Sequence, residues 1–290
     1  MPTLGVIGGS GLYDIDGLED RREHEISTTF GKPSDTVLSG RLGDTELLFL
    51  PRHGRGHRIP PHQINYRANL LALKALGAEQ IVSVSAVGSM RESIVPGDMV
   101  VVDQFIDRTR SRSNTFFEDV GVTAHVEFAE PIDASLADSL YRAAVTVGAR
   151  VHRGGTYVCI EGPQFSTRAE SNLFRGWGVD VIGMTNLPEA RLAREAELPY
   201  ATLALVTDFD CWHQSHADVS VESVLAVIRQ NVSTAREIVC AISKILPDAS
   251  QSPASSALKH ALITSPQHIS AEARAKLAPL INHYLEPGAS

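Results

Sequence analysis

Cysteine is scarce in this chain: Cys159, Cys211 and Cys240 are the only three in 290 residues, and they lie far apart. Such spacing argues against a disulfide framework or a thiolate metal knuckle, leaving reduced side chains in or near a core. Long hydrophobic runs are missing too. No stretch reaches the roughly 18 apolar residues that a transmembrane helix needs. Met1-Pro2-Thr3-Leu4 places no charged segment ahead of an apolar one, so a cytoplasmic location is expected. Basic charge is in deficit, with 26 Lys and Arg against 34 Asp and Glu, a net charge of −8 and a pI near 5.8. Neither nucleic acid nor an anionic membrane is expected as a partner, although a few arginines can still hold a small anion. What remains is ordinary: 43% hydrophobic and 21% charged residues suffice for a sizeable core.

Short apolar runs alternate with helical patterns, the mark of an α/β sheet. Strands are expected at Leu4–Gly8, Glu46–Leu50, Gln80–Ala86, Met99–Phe105, Gly155–Ile160, Val179–Met184 and Tyr200–Val206. Helices are expected over Asn65–Leu76, closed by Gly77; over Pro188–Glu197, opened by its proline; and over Val219–Leu246, with Ser220 as N-cap. Residues 249–256 are rich in Ser, Ala and Pro and read as a linker to a short segment with a helix at Ala271–His283. The expected architecture is α/β: a single domain over 1–248, its central mixed β-sheet flanked by helices. A linker and C-terminal extension over 249–290 would pack on that domain or on a neighbouring subunit.

The run Tyr200–Val206 reads as a strand buried on both faces, and it stops at Thr207-Asp208-Phe209-Asp210. In open α/β sheets, ligands bind at the carboxyl ends of strands. If the extended conformation continues to Asp210, both carboxylates share a side, and two like charges raise each other's pKa. One acid could then keep a proton near neutrality; the alternative is a turn bearing two solvated acids. Gly8-Gly9-Ser10-Gly11 ends the first strand and is either a tight turn or an anion cradle. It has neither the dinucleotide fingerprint nor the P-loop ending.

Pro51-Arg52-His53-Gly54-Arg55-Gly56-His57 follows the second strand, and Arg52 is suited to a bidentate phosphate contact. His53 and His57 have the spacing of helical zinc ligands, but interleaved glycines oppose a helix and no Glu completes the motif. No metal is expected. Ser85-Ala86 and Gly183-Met184-Thr185 add small and hydroxyl-bearing groups at two further strand ends. Basic and hydroxylic ends beside one carboxylate pair suit an anion together with a polar heterocycle.

Several motifs in order then become familiar: Ile7-Gly-Gly-Ser-Gly11, Pro51-Arg-His-Gly54, His62-Gln-Ile-Asn-Tyr-Arg-Ala-Asn69, Glu161-Gly-Pro-Gln-Phe-Ser166, Gly183-Met-Thr-Asn-Leu-Pro-Glu189 and Thr207-Asp-Phe-Asp-Cys-Trp212. Together they resemble the trimeric purine nucleoside phosphorylase family, most closely its branch acting on 5′-methylthioadenosine. The resemblance spans about Leu4 to Leu246. It implies a nucleoside phosphorylase-like fold, a nucleoside substrate, orthophosphate as co-substrate with no other cofactor, and a homotrimer or a hexamer of two trimers.

By position, the resemblance puts phosphate on Ser10, Arg52, His53, Ser85, Ala86 and Thr185. Met184 would lie against the ribose and Phe165 on the purine. Asp208 and Asp210 would be catalytic, Asp208 as donor to N7 and Asp210 as acceptor for the 6-amino group, with Thr207 and Ser166 beside them. Ser166 stands where the 6-oxopurine branch has Glu. Val221, with Val224 and Leu225, would form an apolar slot for a methylthio group where that branch has His at the first of these positions. His125 would reach the 5′ end of the substrate in a neighbouring subunit. Gly183 departs from the Asn of many methylthioadenosine enzymes. A 6-oxopurine nucleoside or methylthioinosine phosphorylase of the same fold, and a non-catalytic nucleoside-binding protein, are the alternatives. Inosine turnover would favour the first, and ligand binding without turnover the second.

Overall fold

The computed structural model of the chain describes residues 1–9, 11–213 and 221–285, with backbone alone for 221–226 and 228–230. Ser10, Ser220 and the side chains of Val221, Val224 and Leu225 lie outside the described residues. Within them, eleven strands form one mixed sheet: β1 Thr3–Gly8, β2 Glu19–His24, β3 Val37–Leu42, β4 Thr45–Pro51, β5 Gln80–Ser89, β6 Met99–Val101, β7 Gln104–Arg108, β8 Val151–Arg153, β9 Thr156–Ile160, β10 Val181–Gly183 and β11 Tyr200–Asp208. Six α-helices accompany it: α1 Tyr66–Ala75, α2 Ala134–Thr146, α3 Arg168–Gly176, α4 Asn186–Glu195, α5 Val221–Ile242 and α6 Ala271–Leu285.

The sheet runs β2-β3-β4-β1-β5-β10-β9-β7, and β11 joins it by pairing with both β5 and β6. Strands β4, β1, β5 and β11 are mutually parallel along this path, so their carboxyl ends share one edge. They are apolar because both faces are covered, and Leu4, Ile7, Leu47, Ile81, Val82, Leu203 and Val206 are all buried. A second, smaller apolar cluster of Val158, Phe174, Ile182, Phe209 and Trp212 lies under the end of β11.

The expected strand Met99–Phe105 is two strands. β6 pairs with β11 and β8, whereas β7 pairs with β9. The chain changes neighbours at Val102-Asp103, where Asp103 bonds through both backbone N–H and carboxylate to Gly155. Strands β2, β3 and β8 and helices α2 and α3 are additions to the sequence expectation. β2 is Glu-Asp-Arg-Arg-Glu-His at a sheet edge, so no apolar alternation marks it. Two start signals were legible: Asp133 capping the Leu136 N–H of α2, and the Thr167/Glu170 capping box of α3.

Residues beyond 248 are woven into the same core. Leu258, Leu277, Leu280 and Ile281 are buried in the main cluster. The Leu258 N–H and the Tyr284 hydroxyl both donate to Glu197 Oε1, at 2.9 and 2.5 Å. No helix among the described residues is long and apolar enough to cross a membrane.

Candidate active site

The shared edge of the parallel strands gathers the chemistry-bearing groups. The end of β4 is tied to that of β1 by the Arg52 N–H donating to Gly8 O at 2.9 Å. At the end of β11 the register with β5 slips between Val206 and Asp208, a bulge that sets Asp208 against Gly88. A Cβ at Gly88 would stand 2.8 Å from Asp208 Oδ1 and 3.4 Å from Asp210 Cβ. Glycine is what lets the two acids sit on β5.

The acid pair is not built by a continuing strand. Extended backbone ends at Asp208; Asp210 has φ +51° and opens a short 3-10 turn to Trp212. The turn folds back so that the Asp210 N–H donates to Asp208 Oδ1 at 2.8 Å, and Trp212 Nε1 anchors it on Ser89 O at 2.7 Å. Both carboxyl pKa values are raised, and for both the leading cause is burial. The like charge of Asp210 does raise Asp208, as expected, but it is the smallest of the causes acting there. Thr207 Oγ1 lies 2.6 Å from Asp208 Oδ2 and 3.1 Å from Val87 O. A hydroxyl has one proton, so Thr207 donates to one of these two oxygens at a time. Ser166 Oγ donates to the Asp210 carboxylate at 3.0 Å, beside the acids where the resemblance put it.

Arg52 is buried, and its guanidinium is committed mostly inward. Nε and Nη2 grip Glu189 of α4 at 2.7 and 2.9 Å, Nη2 also reaches Ser83 Oγ and Ile7 O, and Nη1 donates to Val84 O at 3.0 Å. One Nη1 hydrogen is left to offer an anion, where the sequence suggested a two-pronged contact. His53 Nδ1 donates to Ile59 O at 2.8 Å, and its ring stacks on His57 at 4.2 Å. Burial pushes the His53 imidazole down to about 4, so it is neutral at physiological pH with Nε2 unprotonated. Among the described residues no group of three His, Cys, Asp or Glu side chains converges as a metal site. His213, far along the chain, instead contacts Glu92 at 3.0 Å.

Ser85 and Thr185 are buried, whereas Ala86 is exposed at the end of β5. Met184 is half-buried against Gly162. Phe165 is 49% exposed, a large apolar ring turned to solvent that core packing does not explain. His125 is exposed beside a cavity of about 400 Å³ lined by Thr115, Phe128, Arg191 and Glu195. Its backbone N–H is held by Ala261 O of the C-terminal extension at 2.9 Å. Burial raises Glu195 there to about 7.

Gly183 has a steric reason of its own. A Cβ at this position would fall 2.0 Å from Tyr157 Oη and 2.6 Å from its Cζ. We expect Gly183→Asn to lose about 1–3 kcal/mol by overpacking, and Tyr157→Leu to relieve part of that loss. Denaturant unfolding of the two single variants and the double variant measures the coupling. Strictly additive losses would refute the steric account.

The shared edge of the parallel strands thus carries an acid pair at the end of β11, an arginine and a neutral histidine after β4, and hydroxyl groups between them on β5 and after β10, groups that can move a proton and hold a small anion. The model of the phosphorylase superfamily matches residues 3–244, and the chain belongs to that superfamily. It is 55% identical over 284 residues to the S-methyl-5′-thioadenosine phosphorylase of Geobacter sulfurreducens, covering 98% of this chain and 99% of that one. It is likewise 55% identical over 248 residues to the enzyme of the same name from Rhodospirillum rubrum, covering 86% and 84%. Among solved structures, a methylthioadenosine phosphorylase from an antarctic soil metagenomic library superimposes with TM-score 0.91 at 47% identity, covering 96% of this chain and 98% of that one. The Schistosoma mansoni methylthioadenosine phosphorylase in complex with adenine superimposes with TM-score 0.84 at 37% identity, covering 90% and 99%.

Proposed function

We propose that the protein is an S-methyl-5′-thioadenosine phosphorylase, a pentosyltransferase that uses orthophosphate to split 5′-methylthioadenosine into adenine and 5-methylthioribose-1-phosphate. The observation that carries this reading is the pair of half-buried Asp208 and buried Asp210 seated on Gly88. One acid can hold a proton and the other is oriented by Ser166, giving a donor and an acceptor side by side. Adenine offers the complement, an acceptor at N7 and a donor at the 6-amino group. Phosphate-dependent release of adenine is the test, with methylthioadenosine, adenosine and inosine compared with and without phosphate. Faster cleavage of inosine than of methylthioadenosine would replace this reading by a 6-oxopurine phosphorylase.

In the proposed reaction the glycosidic bond loosens toward an oxocarbenium-like state. Positive charge grows on the sugar and negative charge on the departing purine. Phosphate, held by Arg52, His53, Ser85, Ala86 and Thr185 with Ser10, faces the first charge. Protonated Asp208 at N7 neutralises the second. Met184 lies against the ribose and Phe165 over the base, while Val221, Val224 and Leu225 take the methylthio group. His125 serves a neighbouring protomer of a homotrimer or of a hexamer made from two trimers. Orthophosphate is a co-substrate and no other cofactor is assigned. Adenine and methionine salvage in the cytoplasm is the setting that suits this chemistry.

The pH dependence follows from the raised pKa of Asp208. The active form carries the proton, so kcat/KM holds below that pKa and falls tenfold per pH unit above it. Stability linked to the same group runs the same way: it is present at low pH and lost as pH rises through the folded-state pKa. In Asp208→Asn the alkaline limb should disappear. An unchanged limb would assign the titration to another group.

A further inference from the structure

Beneath the strand ends lies a buried polar chain that the proposed mechanism does not use. Glu189, paired with Arg52, accepts the Tyr200 hydroxyl at 3.0 Å. The only Tyr200 proton is thereby spent, and its oxygen can only accept. Thr202 Oγ1 donates to Ser83 O at 3.1 Å and is in the same position. Both oxygens face Asn186 Nδ2, at 2.6 and 2.7 Å, nearer than Ser83 Oγ at 3.1 Å, and they take its two hydrogens most directly. A reversed amide would set Oδ1 against the two nearest oxygens, which have no proton to give, leaving only the more distant Ser83 hydroxyl as a donor, and would lose the acceptor that Ser85 faces. Its orientation is therefore fixed, and Oδ1 faces Ser85 Oγ at 2.9 Å. A carboxamide oxygen cannot donate, so the Ser85 proton is drawn inward, and the Tyr157 hydroxyl, the other partner of Ser85, takes one lone pair of the Ser85 oxygen and leaves the second. Asn186, Thr202 and Ser83 have no exposed surface, Tyr200 has 2% and Ser85 5%.

We propose that Asn186 is a positioning residue that commits the Ser85 hydroxyl to accepting, so that the site selects an oxyanion carrying a proton. This rests on the reading of Ser85 as part of the phosphate site. Hydrogen phosphate has a P–OH to donate to Ser85, and that contact fixes the rotation of the anion, leaving its unprotonated oxygens for the sugar and the Arg52 guanidinium. Sulfate has the same shape and charge but no proton at neutral pH. It meets the Ser85 lone pairs with its own.

The test compares the inhibition constant of sulfate with the KM for phosphate in the wild type, Asn186→Ala and Ser85→Ala. Asn186→Ala frees the Ser85 proton. Sulfate inhibition should tighten about tenfold, the scale of one hydrogen bond, while phosphate KM moves less than about threefold. Ser85→Ala removes the acceptor and should raise phosphate KM about tenfold with sulfate inhibition nearly unchanged. It also keeps the question answerable if Asn186→Ala folds poorly. A sulfate-to-phosphate ratio equal to the wild type in the two variants, with only thermal stability lowered, would make the chain merely structural and overturn the proposal. A wild-type enzyme whose cleavage does not depend on phosphate would overturn the phosphate-site reading, and this inference with it.

Discussion

Asp208→Asn is expected to lower kcat/KM for 5′-methylthioadenosine by about a hundredfold, and to raise the relative use of 6-oxopurine nucleosides by a similar factor. Two losses combine. The amide has no proton to transfer to N7, so the departing purine must leave as an anion. The amide also changes what the site recognises. A protonated carboxyl beside an acceptor carboxylate suits N7 and a 6-amino group, whereas an NH2 suits the paired acceptors of a 6-oxopurine. Nothing bulky is needed, because Asn fills the same space against Gly88 and can still accept the Asp210 N–H at Oδ1. The measurement is the ratio of kcat/KM for methylthioadenosine to that for inosine. A variant that loses both activities equally would reduce Asp208 to a general structural role. One that keeps the wild-type ratio and rate would remove it from N7.

The end of β11 is also where sequence and structure part most instructively. The strands themselves were legible because a parallel strand covered on both faces must be an apolar run. Tyr200–Val206, Gln80–Ala86 and Leu4–Gly8 announce themselves that way, and their shared carboxyl edge follows from topology. The acid pair was legible as two residues but not as a geometry. Its closeness depends on a positive φ at Asp210, a bulge at Thr207 and the missing Cβ of Gly88, 120 residues away. Period-two alternation suggested the right neighbours by the wrong route. It named charge repulsion and left out burial, which contributes more to the raised pKa of Asp208.

The buried polar chain was wholly silent. Ser83 and Thr202 are plausible in any strand, and Asn186 and Glu189 in any helix start. What makes them one unit is the stacking of α4 over β5 and β11, which no local pattern encodes. Arg52 misled for the same reason: an arginine after a strand looks like an anion fork until its partner, 137 residues on, is in place. Gly183 reversed its meaning as well. Beside the sequence pattern it looked like a departure at the substrate; in the structure it is the space that Tyr157 fills.

Glu189→Gln should be the most destabilising single change at the site, costing roughly 3–5 kcal/mol, because it strands the buried Arg52 charge against a neutral partner. The two side chains are 2% and 0% exposed, so water cannot replace the lost carboxylate. The substitution also turns one acceptor oxygen into an NH2 group, pointing a donor at the Arg52 guanidinium or at the Tyr200 hydroxyl, which itself donates. Urea unfolding would report the loss as a lower midpoint with the slope unchanged. The decisive companion is the double replacement Arg52→Met/Glu189→Met. Exchanging a buried ion pair for apolar groups of similar size is often neutral or stabilising, so the double variant should recover most of the stability that the single one loses. Activity should not return with it, because the remaining Nη1 hydrogen and the positive charge beside the strand ends are gone. Recovery of stability with phosphate KM raised at least tenfold would separate the two roles of Arg52, as a stranded charge and as an anion contact. Recovery of full phosphate affinity would mean that Arg52 only braces α4 against the sheet, and that the anion is held by His53, Ser85 and Thr185 without it.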